Sequence, residues 1–261
     1  MIQNQSRSKI KTIQRWKLDH FSCSSYPPFS SQATGAVYSA TFTITNNCAF
    51  TIWPATLTGG GTSQLTSTGF ELTSKASSTL YVPSPWSGRI WARSQCSIDR
   101  HGKFTCAIGD CGSGEIPCNG AGGTPPVSLV EFTLAANRGQ DFYDVSLVDG
   151  FNLPVSVTPQ GGLKGCNTTS CPFDVNTICP SNFAIKGSDG RVIACKSACL
   201  ALNQPQYCCT GPFASPDKCS PSFYSIMFKN QCPQAYSYAY DDKSSTFTCS
   251  GGPNYSITFC P

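Results

Sequence analysis

The chain has 261 residues, including 17 Cys, 23 Gly and 19 Pro, and its formal net charge is +4. Only 12% of the residues are charged and the pI is about 8.3. These values argue against a nucleic-acid-binding protein, because such proteins carry a basic face and a pI above ~9. No run of about 18 apolar residues is present, so the sequence predicts no membrane span. The 39% of hydrophobic residues is enough to build a folded core.

The first 39 residues differ from the rest of the chain in charge and in cysteine content. They contain five Lys or Arg residues and one Asp, which accounts for the whole net charge of +4, so residues 40–261 are neutral overall. Cys23 is their single cysteine. Small residues typical of a signal-peptide cleavage site precede Ala40, but the apolar stretch of a signal peptide is missing. We interpret residues 1–39 as an atypical or mispredicted signal region, and the alternative is a disordered extension.

The other sixteen cysteines lie between Cys48 and Cys260. An even number spread in this way is typical of a disulfide-bonded protein from an oxidising compartment. Structural zinc sites favour C-x₂-C pairs or cysteine with histidine, but no C-x₂-C occurs and the two histidines are His20 and His101. We therefore predict eight disulfides, no metal site and a secreted, extracellular protein. We interpret His101 as a solvated turn residue and not as a catalyst.

Short segments with a period of two, separated by turns rich in Gly and Pro, predict a mainly β fold of the sandwich or barrel type. These segments are 40–45, 51–53, 78–82, 89–93, 127–132, 142–148 and 153–157.

From Cys166 onward the alternation disappears and cysteines become dense. Two short helices are predicted there, 193–202 and 221–230, the second of which follows Ser220-Pro221 in the order that favours a helix start. A last period-two segment, 254–259, is expected to rejoin the first sheet.

Several stretches of the sequence resemble the thaumatin-like proteins of plants, the fifth group of pathogenesis-related proteins. The most specific is GKFTCAIGDC at 102–111, followed by Cys118, in which Ile108 stands where the family usually has threonine. A second stretch is DVSLVDGFNLP at 144–154. Shorter matches lie at 206–209, 235–238, 245–249 and 254–255. The resemblance covers residues 40–261, and Cys23 has no counterpart in it.

The resemblance implies a β-sandwich, a disulfide-rich and partly helical second domain, and a small third element. We assign residues 40–165 and 250–261 to the sandwich, 166–231 to the disulfide-rich region and 232–249 to the small element. The implied disulfides are Cys48–Cys260, Cys96–Cys106, Cys111–Cys118, Cys166–Cys249, Cys171–Cys232, Cys179–Cys195, Cys199–Cys208 and Cys209–Cys219.

The resemblance also implies a cleft lined by one arginine, one glutamate and three aspartates. At the matching positions of this chain stand Glu131, Asp144 and Asp149, either Arg89 or Arg93, and either Asp241 or Asp242. The alternation of the strand puts both arginines on one face, so the sequence does not choose between them. Asp241 is preferred to Asp242.

Carboxylates accept hydrogen bonds from sugar hydroxyls, and aromatic rings offer flat apolar faces to sugar rings. Together with this chemistry, the resemblance implies a plant defence protein that binds β-1,3-glucan or another cell-wall polysaccharide, acts against fungi, and uses no cofactor. One alternative is a weak endo-β-1,3-glucanase with Glu131 as acid and Asp149 as its partner, since glycoside hydrolysis needs such a pair of carboxyl groups. Another is an inhibitor of an amylase or a protease. A monomer is expected.

Two Asn-X-Ser/Thr sequons are present. Asn167, in a predicted loop, is the expected glycosylation site, whereas Asn254 opens a predicted strand and is disfavoured. Asp110 lies between two cysteines and is interpreted as structural.

Overall fold

The structure is a computed structural model and describes residues 39–261. The predicted leader up to residue 38, with Cys23, lies outside the described residues. The strands are β1 (Ser39–Asn46), β2 (Trp53–Thr58), β3 (Ser77–Pro83), β4 (Trp86–Ile98), β5 (Phe104–Ile108), β6 (Leu129–Leu134), β7 (Gln140–Ser146), β8 (Val155–Gln160), β9 (Lys164–Gly165), β10 (Thr169–Cys171), β11 (Ala184–Lys186), β12 (Val192–Cys195), β13 (Phe247–Ser250) and β14 (Asn254–Phe259). The α-helices are α1 (Ala198–Leu202), α2 (Pro205–Cys208), α3 (Phe223–Gln231) and α4 (Asp242–Ser245).

Two sheets form the body of the fold. One sheet has the order β10-β8-β14-β1-β3, and the other has the order β2-β4-β6-β7-β13-β9 with β5 paired to β4. A separate hairpin joins β11 and β12. The last strand, β14, pairs in parallel with β1, and the Cys48–Cys260 disulfide ties the same two chain regions together. The predicted mainly β fold is confirmed, and so is the return of the last strand to the first sheet.

Alternate residues of the strands point into the space between the two sheets and are removed from water. Phe42 of β1, Phe132 of β6, Tyr143 of β7 and Tyr255 of β14 form an aromatic cluster there. The Phe42 and Phe132 rings lie 4.5 Å apart, and the Phe132 and Tyr255 rings lie 4.8 Å apart in an edge-to-face arrangement. Burial of each such side chain stabilises the folded state by about 1.5–3 kcal/mol. The period-two pattern of the sequence therefore marks the residues that stabilise the fold most.

A buried carboxylate lies at the edge of this cluster. Asp141 is 4% exposed and accepts hydrogen bonds from the Ala135 N–H at 2.8 Å and from the Tyr255 hydroxyl at 2.9 Å. Burial raises the pKa of Asp141 above its usual 3.8, and the two hydrogen bonds oppose this rise only in part. The folded chain therefore binds this proton more tightly than the unfolded chain does.

This raised pKa predicts a pH-dependent stability difference between the wild type and Asp141→Asn. The contribution of Asp141 to the free energy of unfolding is greatest below its unfolded pKa, and it falls as pH rises through the raised folded pKa. The stability advantage of the wild type over the variant should therefore shrink from about pH 3 to pH 7. Urea unfolding of both proteins along a pH series measures this, and two parallel curves would contradict the prediction.

The sixteen cysteines of the described residues form eight disulfides, which are the same eight pairs that the resemblance implied.

Some sequence-based boundaries differ from the structure. The predicted helix 193–202 is wrong in its first half, because β12 continues to Cys195 and α1 begins only after Ser197, whose hydroxyl accepts the Leu200 N–H. The second predicted helix is present as α3, which begins after Ser222 with a capping box. Strands β10 and β13 lie in the predicted disulfide-rich and small regions but join the two large sheets. Both are too short for a period-two signal.

Candidate functional site

Three charged side chains lie side by side on the outer face of the larger sheet. Arg89 of β4 is paired with Glu131 of β6, and Glu131 is paired with Asp144 of β7. Residues directly opposite each other on neighbouring strands have Cβ atoms about 4.5–5.5 Å apart. The adjacent residues Ile90 and Val130 point the other way and are fully buried. The alternation that builds the core thus also aligns one cation and two carboxylates on the opposite face.

Asp149 joins this row from the turn after β7. Its Oδ2 lies 3.8 Å from Nη1 of Arg89, and the two side chains are 12% and 13% exposed. The turn is held by a hydrogen bond from the Val127 N–H to the Asp149 carbonyl. Gly150 follows with φ of +88°, and a Cβ there would lie 2.6 Å from the Cys195 carbonyl oxygen. Glycine is therefore required for the backbone that presents Asp149.

A further wall comes from the segment between Cys232 and β13. Tyr236 is anchored to the end of β7, because its N–H donates to the Val145 carbonyl and its own carbonyl accepts the Leu147 N–H. Its hydroxyl donates to Asp242 Oδ1 at 2.8 Å. Burial, and after it the charge of Asp144, raises the pKa of Tyr236 well above its usual value. The Tyr236 hydroxyl therefore lies in the field of carboxylates from both walls.

Asp241 and Asp242 both lie on this wall but have different surroundings. Asp241 Oδ2 accepts the N–H and the hydroxyl of Ser237 at 3.0 and 2.9 Å, and Lys229 Nζ lies 2.9 Å away. Asp242 is exposed. Burial and then the charges of these two aspartates raise the pKa of the neighbouring Tyr238. We use the name acidic cleft for the candidate site formed by Arg89, Glu131, Asp144, Asp149, Asp241 and Asp242.

Arg93, the other candidate arginine, is not part of the acidic cleft. It is fully buried, and its guanidinium donates to the carbonyls of Trp53 at 3.1 Å and Ile116 at 2.7 Å. It also lies over the Phe104 ring, 5.2 Å from the centroid. Burial lowers the pKa of Arg93 to about 10, against a smaller opposite effect of Asp110, so it stays a cation at neutral pH. Arg89 and Arg93 share a strand face, but β5 and the loop that follows it cover only Arg93.

The remaining candidates lie apart from the acidic cleft. Asp110 accepts the N–H groups of Cys106 and Gly112, each at 2.6 Å, which is the structural role predicted for it. His101 is exposed. Asn167 is exposed as well, whereas the Asn254 side chain accepts the Thr41 N–H at 2.8 Å.

Among residues 39–261, the structure contains no group of three or more His, Cys, Asp or Glu side chains that could hold a metal ion. None of the helices in this range is long and apolar enough to cross a membrane.

Sequence reasoning did not assign Tyr236, Ser237 or Lys229 to the site. Tyr236 and Ser237 belong to the matched stretch 235–238, which was a usable signal. Lys229 is far from Asp241 in the sequence and has no local pattern, so only the packing of α3 against the following segment reveals it.

Comparisons with known proteins agree with this architecture. Residues 46–261 match the sequence profile of the thaumatin family. The chain is 69% identical over 233 residues to thaumatin-like protein 1 of Pyrus pyrifolia, covering 89% of this chain and 95% of that protein. It is 60% identical over 227 residues to a glucan endo-1,3-beta-glucosidase of Prunus avium, covering 87% of this chain and 93% of that protein.

Among solved structures, a laminaripentaose-producing beta-1,3-glucanase in complex with laminaritetraose aligns with a TM-score of 0.58 at 13% identity, covering 86% of this chain and 99% of that chain. At that identity the likeness is one of fold. The extent of the family match and the identity to the two plant proteins together establish that the chain belongs to the thaumatin family.

Proposed function

We propose that the protein binds β-1,3-glucan of cell walls through the acidic cleft and acts as a secreted, antifungal defence protein. The observation that carries this proposal is the row of Arg89, Glu131 and Asp144 on neighbouring strands, with Asp149 held beside Arg89. In a chain with 12% charged residues, such a concentration of carboxylates on one face supports a binding role. The eight disulfides support secretion, because they persist in oxidising compartments.

The chemistry of the cleft suits a neutral polysaccharide. Ionised carboxylates are strong acceptors for sugar hydroxyls, and the Arg89 guanidinium supplies donors beside them. Tyr238 and Tyr240 are partly exposed on the wall that carries Asp242, where burial and the aspartate charges raise the pKa of both hydroxyls. Their rings offer the flat apolar faces on which sugar rings stack.

Slow hydrolysis of the bound glucan is a second candidate, favoured by the 60% identity to a protein named glucan endo-1,3-beta-glucosidase. In this reaction Glu131 gives its proton to the glycosidic oxygen as the bond to the anomeric carbon breaks. Asp149 acts from the other side, either by attacking the anomeric carbon or by activating a water. Arg89 lies beside Asp149, with its Nη1 3.8 Å from Asp149 Oδ2.

Glu131→Gln separates binding from hydrolysis. Glutamine keeps the size of the side chain but has no acidic proton, so we expect release of reducing sugar from a linear β-1,3-glucan to fall by about a hundredfold. Retention on insoluble β-1,3-glucan should weaken only about five- to tenfold, the effect of losing one charged hydrogen-bond acceptor.

The matched control is Asp189→Asn, which removes one negative charge from an exposed ion pair with Arg191. Its retention and activity should equal those of the wild type. A wild type that is not retained on β-1,3-glucan contradicts the binding proposal. Hydrolysis that persists unchanged in Glu131→Gln contradicts the role of Glu131 as the acid.

A further inference from the structure

Lys229, on α3, contacts the acidic cleft from behind. Its Nζ lies 2.9 Å from Asp241 Oδ2, and it donates to the Ala235 carbonyl at 2.9 Å and to the Ser245 hydroxyl at 2.8 Å. An ammonium group has three N–H donors, so these three contacts use all of them. The Lys229 and Asp241 side chains are 22% and 13% exposed, which places the ion pair largely out of water.

All three contacts of Lys229 are made to one short stretch of chain, residues 235–245, which we call the cleft segment. Ala235 lies at its start, Asp241 in its middle and Ser245 at its end, in α4. The cleft segment also carries Tyr236 and Asp242. One side chain of α3 therefore fixes both ends and the centre of the wall that faces the β-sheet carboxylates.

The carboxylate of Asp241 is surrounded by hydrogen-bond donors, one of which is a cation. Its Oδ2 receives three donors, namely the Ser237 N–H, the Ser237 hydroxyl and the Lys229 ammonium. In the absence of Lys229, the charged carboxylate of Asp241 would be mostly buried with no cation beside it. An uncompensated buried charge is strongly unfavourable. The cleft segment would have to move so that water could reach Asp241.

We propose that Lys229 is a positioning residue of the acidic cleft, which holds Asp242 and Tyr236 opposite Glu131 and Asp144 by clamping the cleft segment through Asp241. The glucan-binding test of this assignment rests on the proposed function. The assignment gives the two neighbouring aspartates different roles. Asp241 is paired with Lys229 and has a structural role, whereas the exposed Asp242 is available to bind the sugar.

Lys229→Met tests the clamp, since methionine preserves most of the apolar stem and removes the ammonium group. At pH 7 we expect affinity for insoluble β-1,3-glucan to fall by about tenfold or more, the effect of displacing one charged hydrogen-bonding group of the site.

The double variant K229M/D241N removes the stranded charge together with the cation. It should bind glucan more tightly than Lys229→Met, because the uncompensated buried charge of Asp241 is gone. Lys218→Met is the charge control, because Lys218 is an exposed residue of the same disulfide-rich region. It should bind like the wild type.

Hydrogen exchange of the cleft segment provides a readout that needs no glucan. In Lys229→Met the amides of 235–245 should exchange faster while those of β6 and β7 stay protected, and the double variant should reverse the change. If the wild type does not bind glucan, the proposed function fails and hydrogen exchange alone decides on the clamp. Unchanged exchange and affinity in Lys229→Met overturn the proposal, as does a double variant no better than Lys229→Met.

Discussion

Arg93→Met is expected to lower the free energy of unfolding by about 3–5 kcal/mol, a size typical of the loss of a buried charged hydrogen-bonding group. The guanidinium is fully buried and donates to two main-chain carbonyls, those of Trp53 and Ile116, which the variant would leave without these donors. It would also lose the cation above the Phe104 ring. Urea unfolding measures the effect, and a midpoint equal to that of the wild type contradicts the structural role of Arg93.

Arg89→Met is the matched comparison, because it removes the same group from the same face of β4. The Arg89–Asp149 contact is longer, at 3.8 Å, and slightly exposed, so the stability loss should be about 1–2 kcal/mol. Retention on β-1,3-glucan should weaken about tenfold in Arg89→Met and stay near the wild-type value in folded Arg93→Met. The reverse pattern would show that the wrong arginine has been placed in the cleft.

Removal of the Cys48–Cys260 disulfide, by replacing both cysteines with alanine, is expected to cost about 5 kcal/mol. The two residues are 212 positions apart, and the chain entropy that a cross-link removes from the unfolded state grows with the logarithm of the loop length. The other disulfides shorten this loop only in part. The same bridge secures the parallel pairing of β1 and β14, on which the first sheet depends.

The Cys199–Cys208 disulfide serves as the control, since its cysteines are only 9 positions apart. Its removal should cost about 2.5 kcal/mol by the same reasoning. Guanidinium unfolding of both double-alanine variants, with the remaining bridges intact, gives the two values. A short-loop variant as unstable as the long-loop variant contradicts the entropic account.

Much of the fold could be predicted because the local pattern and the final environment agree. In β1 the apolar residues Phe42 and Ile44 alternate with threonines, and the same alternation separates the core from the outer face. The sequence pattern failed where pairing with another strand decides the backbone conformation. Ala194 and Cys195 were expected in a helix, but they pair with β11 as a strand.

The candidate site, too, could be predicted from the sequence only in part. Glu131, Asp144 and Asp149 were proposed from the resemblance, and the strand register places the first two opposite each other. The choice between Arg89 and Arg93 could not be made from the sequence, because it depends on which part of the face β5 and its loop cover. Lys229 could not be found at all, since its contacts depend on how α3 packs.

The most direct test of the central claim is to map glucan contacts by amide NMR. A linear β-1,3-glucan oligosaccharide is added to the ¹⁵N-labelled protein, and the shifted signals are assigned. We predict that the shifts concentrate at Arg89, Glu131, Asp144, Asp149 and Asp242, while those of β1 and β14 on the far sheet stay unchanged. An absence of shifts at saturating oligosaccharide, or shifts confined to another face, would contradict the assignment of the acidic cleft as the glucan site.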